Sequence, residues 1–374
     1  KGAPGIHLNM KNIYLIKKIL LTTIIALIVL VNPVEAKYGK NKVQYRGMDW
    51  SYIQTPHFDV YFYDGGESIA EFAANVAEKS YEQISYQLDW RISKRISVLV
   101  YNSHNDFQQT NVTLGYLQEG IGGFTELFKN RVVLPFEGSY EQFRHVLHHE
   151  LTHAVVNDLI FGGNVQSIVS GKMRVNIPLW LSEGYAEYSS LDWDSRADMI
   201  IRDAAINGSL PPIQYLNYYM AYKGGQSVVR YIGETFGVER IGEILHETRH
   251  FKDVPKAIEN TLHLDLETLT EKWHFSVRKD YWPDIEGRSN LDDVGHRLTD
   301  HSKIRNYFNV SPAISPNGGK VAFLSDRSGY ADIYVMSSDD GRELTKIISG
   351  QRTAELEELK WLSPGLSWAP DNRH

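Results

Sequence analysis

The segment His149-Glu150-Leu151-Thr152-His153 constrains the fold of this 374-residue chain more than any other. It lies within Tyr140–Asp158, whose apolar spacing predicts a helix. Helical residues four apart share a face, so both imidazoles reach one point. Glu150, one residue on from His149, is angled to touch a water at that point rather than the ion itself. Two imidazoles do not complete a catalytic metal site, which takes three protein ligands and keeps one position open. The chain has 14 histidines and no cysteine, so any metal is held by His, Asp or Glu. The same absence excludes disulfide scaffolds, thiol proteases, iron–sulfur clusters and cysteine-type zinc fingers.

A third ligand is available thirty residues downstream. Trp180-Leu181-Ser182-Glu183-Gly184-Tyr185-Ala186-Glu187-Tyr188 opens a second predicted helix, Pro178–Ser190, and two histidines plus a glutamate are an established zinc set. Taken singly, each residue has a plainer reading: a satisfied histidine, or a first-turn acid favoured by the helix dipole. Taken together, the two histidines, the glutamate between them and the Glu-Gly helix predict a metal centre of His149, His153 and Glu183, with Glu150 as general base. His145 lies one turn before His149, but three successive turns span about 11 Å, too far for one ion. His145 is therefore expected behind the ligands or facing substrate. Glu187 shares a face with Glu183 and is a candidate to accept the second ring N–H of a ligand histidine, its plainer reading being a solvated helix acid.

These residues resemble the gluzincin metallopeptidases, with the Trp-Leu-x-Glu-Gly-x-Ala pattern of the aminopeptidase branch. The resemblance is specific in the core and extends loosely over about residues 50–285. It implies one zinc per chain held by His149, His153 and Glu183, with Glu150 activating water for peptide hydrolysis. It also implies a Tyr or His on a later helix that stabilises the oxyanion. Tyr222, within Ala221-Tyr222-Lys223-Gly224-Gly225, is the candidate. The distance from His153 to Glu183 exceeds the aminopeptidase pattern, and Gly162–Asn176 is expected to form a loop. Ahead of the metal helix, Gly122–Glu126 and the strand Arg131–Leu134 suggest an edge on which an extended peptide lies, with Gly123, Glu126 and Val133 as substrate-binding candidates. Gly123 and Glu126 fall where the aminopeptidases carry a Gly-x-x-Glu amine-binding motif. The rest of that motif does not match, so an endopeptidase is expected over an aminopeptidase.

The remaining segments suggest an exported two-part protein. Ile19–Val31, about thirteen apolar residues after Lys11, Lys17 and Lys18, reads as a secretory signal ending near Ala36, and is short of the ~20 residues a membrane span needs. Met10 is the expected start, and the protein is expected in the periplasm or outside the cell. Residues 37–290 are expected to form an α+β, zincin-type metallopeptidase domain: strands at Phe58–Tyr63, Ile96–Tyr101 and Arg131–Leu134, then a helical half. Beyond residue 300, short β-rich runs separated by Pro, Gly and Asp turns predict an antiparallel meander. Ser367–Asn372 repeats Ala313–Gly318 after 54 positions, resembling the blade repeat of TolB-like β-propellers. Residues 300–374 are thus expected to hold one blade and the start of a second, which offers a protein-docking part. A net charge of −7 and no nucleotide or nucleic-acid motif exclude polyanion binding as the main role. Two rivals remain: a non-catalytic envelope scaffold that works through the propeller, and a hydrolase of non-peptide amides.

Overall fold

The computed structural model describes residues 47–113, 117, 121–127, 129–162, 175–289, 291–300, 303, 304, 306, 308–350, 359 and 365–374. The proposed signal and most of the expected 162–176 loop lie outside them.

Strands β1 (Ser51–Gln54), β2 (Phe58–Phe62), β3 (Ile96–Tyr101), β4 (Phe124–Glu126) and β5 (Arg131–Pro135) form one mixed sheet in the order β1-β2-β3-β5-β4. The central β2, β3 and β5 run parallel, and the outer strands β1 and β4 pair antiparallel. Helix α1 (Glu67–Leu88) crosses from β2 to β3, and the five-residue α2 (His104–Gln108) follows β3. Parallel strands need covered faces, and Phe58, Val60, Val98, Val100, Val132 and Leu134 are fully buried.

The rest of this part is helical: α3 (Tyr140–Phe161), α4 (Leu179–Leu191), α5 (Ser195–Ile206), α6 (Tyr218–Phe236), α7 (Glu239–Phe251), α8 (Val254–Leu262) and α9 (Leu266–Tyr281). The ends of α3 follow from its caps. The Ser139 hydroxyl accepts from the Gln142 amide, and Gly162 takes the left-handed conformation that closes the helix. Helix α3 packs on α1, β4, β5 and α4, so its middle turns are buried on nearly all sides.

Helices α4 and α6 meet at a pair of glycines. A Cβ on Gly225 would stand 2.2 Å from the Trp180 carbonyl oxygen, and one on Gly184 would stand 2.3 Å from the Gly225 carbonyl carbon. Only glycine on both helices permits that approach, and the residues flanking each glycine are those of the site below.

A separate four-stranded antiparallel sheet comprises β6 (Asn309–Ile314), β7 (Lys320–Ser325), β8 (Asp332–Ser337) and β9 (Thr345–Ile348), paired in sequence order. This is the expected meander. The two copies of the repeated segment are bonded to each other: Trp368 Nε1 donates to the Ala313 carbonyl at 2.9 Å, and the Asn317 amide donates to Asn372 Oδ1 at 2.7 Å. No closed ring of sheets forms among the described residues. None of the described helices is long and apolar enough to cross a membrane.

Candidate metal centre

Helix α3 presents His149 and His153 to α4, and α4 presents Glu183 in return. His149 Nε2 and His153 Nε2 are 3.1 Å apart, and each stands 3.2 Å from Glu183 Oε2. Tetrahedral zinc with bonds of about 2.0–2.1 Å separates its ligand atoms by about 3.3 Å, so this triangle has the size of one face of such a site. Three lone-pair atoms at this spacing repel unless protons or a metal ion lie between them. The protonation tendencies agree. Burial disfavours a charged His149, yet Glu183 and Glu187 outweigh it and raise its pKa to about 10. Burial also opposes the Glu183 carboxylate, but the two histidines outweigh that and lower it to about 2. The cluster is short of positive charge, and its donor set fits a divalent metal.

The other side of His149 faces Glu187, whose Oε1 lies 3.0 Å from Nδ1 as an ion-pair contact, off the line of a ring hydrogen bond. A proton on Nδ1 leaves the Nε2 lone pair free for metal. His145 Nε2 stands 3.3 Å from the same oxygen, and His153 Nδ1 faces the Ser182 hydroxyl at 3.3 Å. Glu187 remains a carboxylate: burial opposes the charge, but His145, His149 and Lys223 hold its pKa far below the usual range. His148 turns away and faces Ser189 Oγ at 3.0 Å. Burial first, then the neighbouring histidines, lowers its pKa to about 4, which keeps it neutral.

Glu150 is adjacent and held separately. The Thr125 hydroxyl on β4 lies 2.7 Å from Glu150 Oε2 and 2.8 Å from the Glu150 carbonyl. The Glu150 carboxylate is therefore held by a strand of the sheet as well as by its own helix. All four residues open onto one cleft of about 660 Å³, which Tyr222, Tyr219, Phe124 and Val146 also line. The Tyr222 ring stacks on His149 at 6.1 Å, with the planes 16° apart. Burial, then Glu183, Glu150 and Glu187, push its phenol well above the ordinary range, so it keeps a proton to donate.

The structure places the other expected residues less uniformly. Gly123 lines the cleft, where a Cβ would stand 3.0 Å from a Val146 methyl; its lack of a side chain lets β4 lie against α3. Glu126 does not reach the cleft. Strand alternation turns it to the face opposite Thr125, where Arg131 Nη2 pairs with it at 3.0 Å. Val133 is fully buried opposite Phe124 and does not line the cleft either. Sequence reasoning passed over Thr125, Lys223 and Asp194. A lysine set among Ala221, Gly224, Gly225 and Val228 was a usable signal, since an unpartnered lysine is not stable on a buried helix face.

Residues 76–279 match the family model described as the Peptidase MA superfamily, more than half of the chain. The chain belongs to the Peptidase MA superfamily. The matched stretch contains α3, α4 and α6, hence every residue of the centre. Among solved structures, the chain is similar to a mutant M1 zinc metallopeptidase from Deinococcus radiodurans, at 13% identity and a TM-score of 0.35, over 61% of this chain and 51% of that one. The chain thus spans about half the length of that peptidase. No curated protein matches it.

Proposed function

We propose that this Peptidase MA superfamily member is a zinc-dependent peptide hydrolase, with His149, His153 and Glu183 as ligands and Glu150 as general base. The observation that carries the reading is the convergence of three donors within 3.1–3.2 Å of one another, beside a carboxylate held by Thr125 and not by the trio.

When bound, the ion polarises the scissile carbonyl and acidifies a water in the cleft. Glu150 accepts the proton of the attacking water and returns it to the departing amine. Thr125 keeps that carboxylate aimed during both transfers. The Tyr222 phenol, on the rim above His149, donates to the oxyanion that develops on the carbonyl oxygen. Endopeptidase action is favoured by the engagement of Glu126 with Arg131, which leaves the Gly-x-x-Glu carboxylate turned from the cleft where a free amine would sit.

The wider organisation belongs to the same proposal: an exported protein with its signal in residues 1–36, a catalytic part over 37–290 and a β-propeller blade beginning near residue 300. The meander order of β6–β9 and the bonded repeat at Ala313 and Trp368 support the blade, which would serve to dock a protein partner.

The decisive experiment compares wild type with Glu150→Gln for zinc content and for cleavage of a peptide library. One zinc per chain in both proteins, with cleavage only by wild type, is expected. A folded wild type that retains no zinc after dialysis overturns the metal reading. Zinc binding without cleavage of any peptide transfers support to the scaffold reading.

A further inference from the structure

Lys223 is buried, and nothing in the reaction above uses it. Its ammonium contacts Glu187 Oε2 at 2.6 Å, Asp194 Oδ2 at 2.7 Å and Gln226 Oε1 at 3.1 Å. An ammonium has three protons, so all three are taken up. The anchors are themselves fixed. Asp194 caps α5 through its other oxygen, which accepts from the Arg196 and Ala197 amides at 2.9 and 3.1 Å. Gln226 donates to the Asp192 carbonyl at 2.8 Å. Lys223 is therefore held by two fixed groups, Asp194 and Gln226, before it meets Glu187.

The two oxygens of Glu187 consequently face different partners. Oε2 is bound to Lys223, and Oε1 is left toward His149 Nδ1 and His145 Nε2. A glutamate has three rotatable bonds, and without an anchor Oε1 would sample other positions. The close passage of Gly184 and Gly225 brings Lys223 on α6 within reach of Glu187, which lies one turn along α4 from Glu183. His145, His149 and Glu187 also form a second cluster with the donor types of a metal site. A second ion there would lie near an ammonium already bound to the shared carboxylate, which Coulomb repulsion disfavours.

We propose that Lys223 is a positioning residue for the metal centre: anchored by Asp194 and Gln226, it fixes Glu187 so that His149 keeps its proton on Nδ1 and offers Nε2 to one metal ion. The inference rests on the zinc reading above. It places the Lys223 ammonium beside the shared Glu187 carboxylate, where a second metal ion would otherwise bind.

The test measures zinc per chain, the zinc dissociation constant by chelator competition, and the visible spectrum of the cobalt(II) derivative. It uses wild type, Lys223→Met and the double variant Lys223→Met/Asp194→Asn. Methionine keeps an unbranched chain, one atom shorter, without the charge. The double variant also removes one of the carboxylates that Lys223 neutralises, so it is the one expected to fold if the single variant does not. Wild type should bind one zinc. The folded variants should bind it 10- to 100-fold more weakly, the range seen when groups supporting a ligand are lost, and their cobalt spectra should change. A folded double variant with wild-type zinc affinity and an unchanged cobalt spectrum overturns the proposal. Two zinc ions per wild-type chain also overturn it and assign the second to His145, His149 and Glu187. Wild type without zinc overturns the metal reading and this inference with it. That failure is visible in wild type alone, whereas failure of the Lys223 role appears only between variants.

Discussion

Replacing Gly225 by alanine tests whether the α4–α6 crossing sets the geometry of the centre. The new Cβ would stand 2.2 Å from the Trp180 carbonyl oxygen and 2.9 Å from the Gly184 Cα. Both neighbours are backbone, so no side chain can rotate aside. Ordinary carbon contacts begin near 3.5 Å, so the helices must separate by roughly 1 Å. Overpacking of this kind costs about 1–3 kcal/mol, and the helix preference for alanine over glycine returns at most about 1 kcal/mol. With rigid neighbours the upper end applies, and a net loss of about 2 kcal/mol lowers Tm by about 4–8 °C in a domain of this size. A shift of about 1 Å also stretches the 2.6 Å contact from Lys223 to Glu187 past hydrogen-bond range, so zinc should bind more weakly. Gly233, two turns further along α6, supplies the control. Its nearest neighbour to a new Cβ is the Tyr188 hydroxyl at 3.4 Å, an ordinary contact. Gly233→Ala should therefore leave Tm unchanged or raise it by the propensity gain of up to about 1 kcal/mol. Thermal unfolding of both variants, with and without zinc, is the assay. A Gly225→Ala protein as stable as wild type, or one that shifts no more than Gly233→Ala, refutes the role given to the crossing.

Thr125→Val removes the hydroxyl beside Glu150 and should lower kcat about tenfold with zinc content unchanged, the size of one net hydrogen bond of about 1.4 kcal/mol; steady-state kinetics with metal analysis checks this. Chelation of the bound zinc should lower Tm by about 5–10 °C when free zinc had stood a hundredfold above its dissociation constant, equivalent to about 2.7 kcal/mol, and readdition should restore it. In the four-stranded sheet, burial opposes the Asp332 charge, but the Ser328 hydroxyl, the Gly350 amide and the Lys346 ammonium outweigh it and hold its pKa below the usual 3.8. A depressed carboxylate adds stability that is complete above its unfolded pKa and is lost as pH falls through the folded one. Hydrogen-exchange protection across 320–350 should accordingly fall below about pH 4, and Asp332→Asn should flatten that dependence.

The legible parts of the fold are those whose signals are local. The ends of β3 coincide with the expected Ile96–Tyr101, and α3 begins at Tyr140 as expected. The Ser139 side chain caps α3 at that start. The proximity of His149 and His153 was readable because helical periodicity alone brings them to one face. Strand β4 has three residues and α2 five, too few for periodicity to register, and β1 and α8 were likewise missed. Lys223 and Thr125 escaped for a different reason. Their roles arise where α6 meets α4 and where β4 meets α3, and no spacing along the chain reveals which helix faces will touch. Glu126 shows the converse error: a motif spacing suggested a binding carboxylate, and the pleat of a three-residue strand turned it away.

Strand β4 is the outermost strand of its sheet, and it also carries the hydroxyl that holds Glu150. A peptide that pairs along that edge pulls on the element that aims the base. Contacts made several residues from the scissile bond would then act on the proton-transfer step as well as on residence in the cleft. Chain length in the substrate becomes a kinetic variable, since binding energy gathered at a distance can be expressed in turnover.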